Sequence, residues 1–226
     1  MRPAEADLVR WSEALAGIAR TGLGFTQSQY ERERFDEVLH VAADMRVVAG
    51  LAPDDASEDD VVDAWLSLVG EGVGGYVTPK VAVGAVVGND AGELLLVQRA
   101  DSGIWLYPTG WADVGYSASE VVVKEVAEET GIDVEVLGPI AVQDGMRMGF
   151  TRIAMYSLVF SCRAIGGQLA AHPLECSDVG WFAEDALPEP LAGAAFWKDL
   201  AFAAIRGESV EVQWDRPRQP VWRGEE

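Results

Sequence analysis

The chain reads as an α/β protein preceded by a small all-helical unit. Three observations carry that reading. Apolar residues recur at helical spacing through residues 7–69. A glycine-rich break, GEGVGGYVTP, follows at 70–79. Beyond it, short β-branched and leucine-rich runs alternate with single helical segments. The expected organisation is a helical N-terminal domain over 1–70, a linker over 71–79, an α/β domain over 80–210 and a tail over 211–226.

The elements follow in chain order. Leu8, Trp11, Leu15 and Ile18 make the apolar stripe of a first helix that Gly22 should stop. Ser28 and Glu31 form a capping box opening a second helix, with Phe35, Val38, Leu39 and Ala42 inward and an end near Gly50. Ser57 and Asp60 repeat the device before Val61, Trp65, Leu66 and Val69. The acids of DDASEDD then sit at a helix start, where the macrodipole favours them. KVAVGAVVG and ELLLVQRA, separated by NDAG, read as a hairpin. A glycine-rich segment at 108–117 leads into a helix at 118–130, boxed by Ser117 and Glu120 and stopped by Gly131. VEVLGPIAV, TRIAMYSLVFSCRA and DVGWFA read as strands, QDGMRMGF as a loop, and 194–206 as a last helix. The remaining tail has no clear period and is assigned no structure.

Composition narrows the function. Hydrophobic residues are 49% of the 226, enough for a real core. Acids number 37 and bases 17, for a net charge of −20. That balance argues against gripping a nucleic-acid backbone or an anionic membrane, both of which need Lys and Arg. It leaves room for small phosphorylated ligands, since a divalent cation inverts the local charge. Cys162 and Cys176 are too few for a disulfide framework or a four-ligand zinc site. The acidic N-terminus lacks a signal-peptide core and no run is long enough to span a membrane, so a cytoplasmic location is expected.

The chemistry concentrates in the helix at 118–130. Glu125, Glu128 and Glu129 stand at i, i+3 and i+4 and project from one face, with Val122, Val123 and Val126 expected to anchor the other. Three carboxylates that close repel one another unless a cation sits among them. A hard divalent ion, Mg²⁺ or Mn²⁺, suits an oxygen-only donor set. A solvated acidic face is the commoner fate of such residues. The glycine loop running straight into the helix, which lets backbone approach a ligand, favours the metal site here.

From Gly110 to Ile132 the chain resembles the Nudix box, G-x5-E-x7-R-E-U-x-E-E-x-G-U, where U is a bulky apolar residue. Gly110, Glu125, Val126, Glu128, Glu129, Gly131 and Ile132 match. Tyr116 stands where the family usually has Glu, Lys124 where it has Arg, and Tyr107-Pro108-Thr109-Gly110 replaces Leu-Pro-Gly-Gly. Lys124 keeps the charge and loses the planar fork. Trp11, Ile18–Leu23, Phe25-Thr26 and Tyr30–Phe35, with Thr78–Val81, Gly110–Tyr116 and Lys124–Val126, are similar to a Nudix subgroup with a helical N-terminal extension. That subgroup includes CDP-choline and ADP-ribose pyrophosphatases.

The resemblance implies an α/β/α sandwich with a mixed sheet. It also implies a Mg²⁺-dependent hydrolase that cleaves a nucleoside diphosphate linked to X into nucleoside monophosphate and phospho-X. Glu125, Glu128 and Glu129 would hold the metal, with Lys124 beside them. Glu175, on a loop before the aromatic-bearing run Val179–Phe182, would be a further ligand or the general base. The helical domain would pack on its own subunit or a partner's, giving a homodimer. The rival is a non-catalytic Nudix nucleotide sensor.

Substrate contacts are expected from Arg99, Arg147 and Arg152 to phosphate, and from Gly110 through its backbone. Trp105, Tyr107 and Trp111 crowd the entry to the box and are candidates to stack on a base, although core packing is the commoner role. His40 and His172 lack metal-ligand spacing partners and read as structural.

Overall fold

The computed structural model describes residues 5–50, 57–67, 78–113 and 116–218. Val69, most of the expected linker (71–77), Val114, Gly115 and the tail beyond 218 lie outside the described residues. The elements are α1 (Glu5–Phe25), α2 (Gln29–Val48), α3 (Glu58–Leu66), β1 (Lys80–Gly88), β2 (Leu94–Arg99), β3 (Trp105–Leu106) and β4 (Thr109–Trp111). They continue with α4 (Ala118–Thr130), β5 (Ile132–Asp144), α5 (Gly145–Met148), β6 (Met155–Gly167), β7 (Cys176–Phe182), α6 (Ala194–Ile205) and β8 (Gln213–Trp214). They form two compact units, Met1–Pro79 with Gly145–Ala154, and Lys80–Asp144 with Met155–Glu226.

In the first unit α1 and α2 approach closely because small residues line the contact. Ala16, Ala19, Leu23, Leu39, Ala42 and Ala43 are buried, together with Val61, Val62 and Trp65 of α3. The Ser12 hydroxyl donates across the contact to the Ala42 carbonyl at 2.8 Å. Ile18, expected in the core stripe, is 63% exposed, since its place on the helix faces away from this small-residue seam. Nor does Gly22 stop α1. The helix runs on to Phe25, and a Cβ at Gly22 would lie 2.4 Å from the Phe35 ring, so the glycine serves the crossing. The box at Ser28 is half formed: Ser28 accepts from the Glu31 N–H, while the Glu31 carboxylate takes the Thr26 hydroxyl instead. Ser57 and Asp60 make the full box. Arg20 and Arg46 each stack on Trp65, and Arg46 pairs with Glu13.

The second unit is a mixed sheet with α4 on one face and α6 on the other. Its main path runs β3-β2-β1-β6-β5-β8, with β4 joined to β1 and β7 to β2. β1 and β6 are parallel over Lys80–Gly88 and Met155–Arg163. β1 and β2 are buried on both faces, which is why they read as continuous apolar runs. Val83, Ala85, Val87 and Leu95 pack toward Val121, Val122 and Val126 of α4. Val86, Leu94 and Leu96 pack toward Trp197, Ala201 and Phe202 of α6.

The NDAG turn closes with Gly92 in the left-handed region (φ 77°) and its N–H on the Asn89 carbonyl at 3.0 Å. The two strands pair only at Gly88 and Leu94, however, because β2 diverges to run antiparallel with β7. The expected loop after β5 contains the short helix α5, and the tail is not featureless. Gln213 and Trp214 pair in parallel with Ala141 and Val142, and the Asp215 carboxylate accepts the Asp144 N–H at 2.6 Å. No helix among the described residues is long and apolar enough to cross a membrane.

Candidate active site

α4 is fixed at both ends by its own sequence. Ser117 and Glu120 exchange capping bonds, and Gly131 takes the left-handed conformation (φ 71°) with its N–H on the Ala127 carbonyl. Its buried stripe is Val121, Val122 and Val126. Val123, expected in that stripe, is 40% exposed. Glu129 continues the stripe from Val122 and Val126 by helical spacing, so the acids adjoin the apolar face instead of opposing it. Glu129 is only 4% exposed, whereas Glu128, one residue earlier, is outside.

The three glutamates therefore occupy three environments. Glu129 Oε2 accepts the Thr109 N–H at 3.0 Å, and burial pushes its pKa up to about 8, with Glu125 and Glu175 adding like-charge repulsion. Glu125 packs against Gly110. A Cβ there would stand 2.0 Å from the Glu125 carboxyl carbon, so only glycine fits. Its pKa is also raised, mainly by burial and further by Glu128 and Glu175. Glu128 is drawn to Lys124 at 3.3 Å. The Lys124 ammonium also bonds Asp113 at 3.1 Å and lies 3.8 Å from Glu125. These partners, Asp113 first, raise its pKa. Lys124 thus ties the loop ahead of α4 to the helix, a point contact where a fork would have held two oxygens.

Glu175 comes to this centre on the loop before β7. Its carbonyl accepts the Ala100 N–H at 2.9 Å, and its N–H donates to His172 at 3.3 Å. The loop hangs from the end of α4: Ala170 donates to the Thr130 carbonyl at 2.8 Å and His172 to the Glu129 carbonyl at 3.2 Å. Segments far apart in sequence thus bring Glu175 within electrostatic reach of Glu125 and Glu129, with Glu128 acting on Glu125.

The other expected residues divide. Arg99 lies near enough to Glu129 to feel its charge, and Asp101 holds it in a bidentate pair at 2.9 and 3.1 Å. Arg147 and Arg152 are exposed and belong to the first unit. Trp105 and Tyr107 are core residues, which corrects their expected place at the ligand. They are 7% and 8% exposed, edge-on to Phe182 at 5.0 Å and Trp197 at 5.3 Å. Trp111 is open. His40 bonds Glu58 at 2.6 Å, while His172 Nδ1 is buried without a partner among the described residues. Two contributors were not singled out from the sequence, Asp113, which lies in the Gly110–Tyr116 stretch eleven residues before Lys124, and the Thr109 N–H, which has no side-chain signal.

A divalent cation suits this donor set in kind. The donors are all carboxylate oxygens, two of them held protonation-prone by burial and mutual repulsion, a state that a cation relieves. The cage is not preformed: among the described residues no three His, Cys, Asp or Glu are arranged to hold a metal ion. Glu128 in particular is engaged with Lys124.

The chain is similar to known proteins over most of its length. The NUDIX domain model matches residues 78–203, and a model described as a UDP-X-like, N-terminal oligomerisation domain matches residues 6–52. YjhB of Bacillus subtilis (strain 168), provisionally named an ADP-ribose pyrophosphatase, is 31% identical, covering 78% of this chain and 81% of its own. A crystal structure of a UDP-X diphosphatase, 28% identical, covers 94% of this chain and 100% of its own at a TM-score of 0.54. A Streptococcus suis 89-1591 ADP-ribose pyrophosphatase structure is 34% identical, covering 61% of this chain and 100% of its own, also at 0.54.

Proposed function

The chain belongs to the Nudix hydrolase family, and on that premise we propose that it is a Mg²⁺-dependent pyrophosphohydrolase. Its substrate is a nucleoside diphosphate linked to X, of the CDP-choline or ADP-ribose kind. One observation carries the reading: buried Glu129 and Gly110-packed Glu125 share one acidic centre with Glu175, which arrives from a different loop. The names of the Bacillus and Streptococcus relatives and of the UDP-X structure support the substrate class.

Glu125, Glu128 and Glu129 would hold the cation. When bound, it neutralises charge developing on the phosphate oxygens. Water attacks one phosphorus, the P–O–P bridge breaks, and nucleoside monophosphate and phospho-X leave. Glu175 takes the proton of the attacking water. The Thr109 N–H fixes the Glu129 carboxylate, and Gly110 lets backbone approach Glu125. Lys124 holds the loop carrying Asp113 against the helix, and Arg99 bears on the phosphates after exchanging Asp101 for them. The helical unit pairs with a second copy. The oligomerisation-domain match and the exposed Ile18, Val41 and Val48 support that assignment.

The test is turnover of CDP-choline, ADP-ribose and UDP-sugars with Mg²⁺ or Mn²⁺, in ¹⁸O water to locate the attacked phosphorus. Metal-dependent release of a nucleoside monophosphate is expected. Absence of turnover across the whole panel overturns the proposal.

A further inference from the structure

One ammonium spans three carboxylates at the start of the acidic face. Lys124 Nζ lies 3.1 Å from Asp113, 3.3 Å from Glu128 and 3.8 Å from Glu125. Glu125 and Glu128 stand on α4, and Asp113 stands on the loop ahead of it. The two acids on α4 belong to the set that would hold a cation, and the loop acid does not. Lys124 and Glu128 are at i and i+4 with the base N-terminal to the acid, the weaker order for such a pair on a helix. Their side chains keep 35% and 55% of their surface in water, so solvent screens the bond. An ammonium has three rotatable donors on a flexible stem, so it can leave one acceptor while keeping another.

A divalent cation that takes Glu128 and Glu125 has to displace the ammonium from both. The displaced positive charge would repel the incoming one unless another acid received it. The box position that usually carries Glu is Tyr116 here, which brings no charge to pair with Lys124. The acid that answers Lys124 stands at 113 instead, already within bonding distance. We propose that Asp113 is a positioning residue for the metal: it receives the Lys124 ammonium when the cation takes Glu128. Metal loading and the fastening of the Asp113 loop to α4 are then one exchange. This rests on the reading of the acidic centre as the metal site and adds the residue that clears it.

Mn²⁺ binding to the full-length protein, followed by electron paramagnetic resonance, tests the proposal without relying on turnover. Asp113→Asn should weaken Mn²⁺ roughly five-fold, the scale of an exposed charge pair. Lys124→Met removes the competitor and should bind Mn²⁺ at least as tightly as the parent. In the Lys124→Met background, Asp113→Asn should change the affinity by less than about two-fold, because no ammonium is left to receive. Thermal unfolding in EDTA should report all three variants as folded. Saturating Mg²⁺ should return the Asp113→Asn kcat to the parental value, which a misplaced loop would not allow. The proposal falls if Asp113→Asn weakens Mn²⁺ equally in both backgrounds, which marks a plain loss of negative field. It also falls if Lys124→Met itself weakens binding, which makes Lys124 an organiser of the glutamates and not their competitor. A parent that binds no Mn²⁺ overturns the metal site and the exchange together. Coupled Mn²⁺ binding without hydrolysis of any substrate removes the activity and keeps the exchange.

Discussion

Two helical packings in this molecule solve opposite problems. Between α1 and α2, small residues go inside. Ser12, Ala16 and Ala19 let the backbones close up, and the larger Ile18 is left outside. Between α4 and the sheet, the bulky valines go inside as an amphipathic stripe should, and the misfit is a carboxylate, Glu129, drawn in beside them. The first arrangement leaves apolar side chains such as Ile18 exposed. The second stores charge that a cation can use. Hydrophobicity alone locates neither feature, because both depend on which face the neighbouring element covers.

The largest effect should come from Glu129. Glu129→Gln should cut kcat on the order of 10²–10³-fold, as loss of a group that stabilises developing charge does. The metal-free fold should keep its stability or gain some. Burial raises the Glu129 pKa to about 8, so the folded chain holds a proton that the unfolded chain releases near its ordinary value. Stability of the metal-free protein should therefore fall as pH rises from about 4.5 toward 8. Unfolding midpoints in EDTA should show that slope in the parent and lose most of it in the variant. A variant with parental kcat at saturating Mg²⁺, or with an unchanged slope, breaks the contrast.

Glu175 separates rate from binding at the same centre. Glu175→Gln should lower kcat by about 10²–10⁴-fold with KM nearly unchanged if it is the base. If it is a ligand instead, the deficit should shrink as Mg²⁺ rises, so one titration of one variant decides the role. A kcat within about twofold of the parent removes Glu175 from the mechanism.

Much of this was legible in the chain before any coordinates. The order of α/β elements, the boxes at Ser57 and Ser117, the Gly131 stop and the acidic face of α4 all follow from local spacing, and local spacing is what periodicity reports. The misreadings have one cause, contacts between distant segments. Gly22 reads as a stop until Phe35 is known to press on it, and the β1–β2 hairpin, present as expected, pairs over less of its length than its sequence suggests because β2 also runs with β7. Trp105 and Tyr107 read as candidates to stack on a base, with core packing the commoner role, and the contacts with Phe182 and Trp197 settle them in the core. The convergence of Glu175 on Glu129 was reachable through family resemblance alone, since 46 residues separate them in the chain.

Neighbouring residues sharpen the α1–α2 contrast. Ala19→Leu should overpack the seam and cost about 1–3 kcal/mol, seen as a lower unfolding midpoint. Ile18→Ala should change the stability of the isolated fold by no more than about 0.5 kcal/mol. If α1 carries the dimer contact, Ile18→Asp should lower the mass measured by light scattering while leaving the helical signal intact. A harmless Ala19→Leu combined with a damaging Ile18→Ala would invert the packing described for this unit.

The smallest effect is expected where α2 meets α3. His40 Nδ1 bonds the Glu58 carboxylate at 2.6 Å, and that bond raises the His40 pKa above its ordinary value, with Asp36 and Asp59 adding to the same direction. A raised pKa means that the folded chain binds the proton more tightly than the unfolded one. The stabilisation is complete below about pH 6.5 and fades as pH climbs through the higher folded value. Both side chains are more than a third exposed, so solvent and salt should screen the pair and keep the effect small. The parent should lose a little stability relative to His40→Gln between pH 6 and 8.5, on the order of 1 °C or less in Tm, and added salt should shrink the difference. The sign opposes nothing at α4: Glu129 weakens the metal-free fold over an overlapping range through burial of a proton-binding acid, while His40 does so by losing a proton and with it an ion pair. The double variant Glu129→Gln/His40→Gln should therefore show nearly additive losses of pH dependence, since the two sites lie in separate compact units. A His40 ring that titrates at or below its ordinary value by NMR would remove the pair from this account.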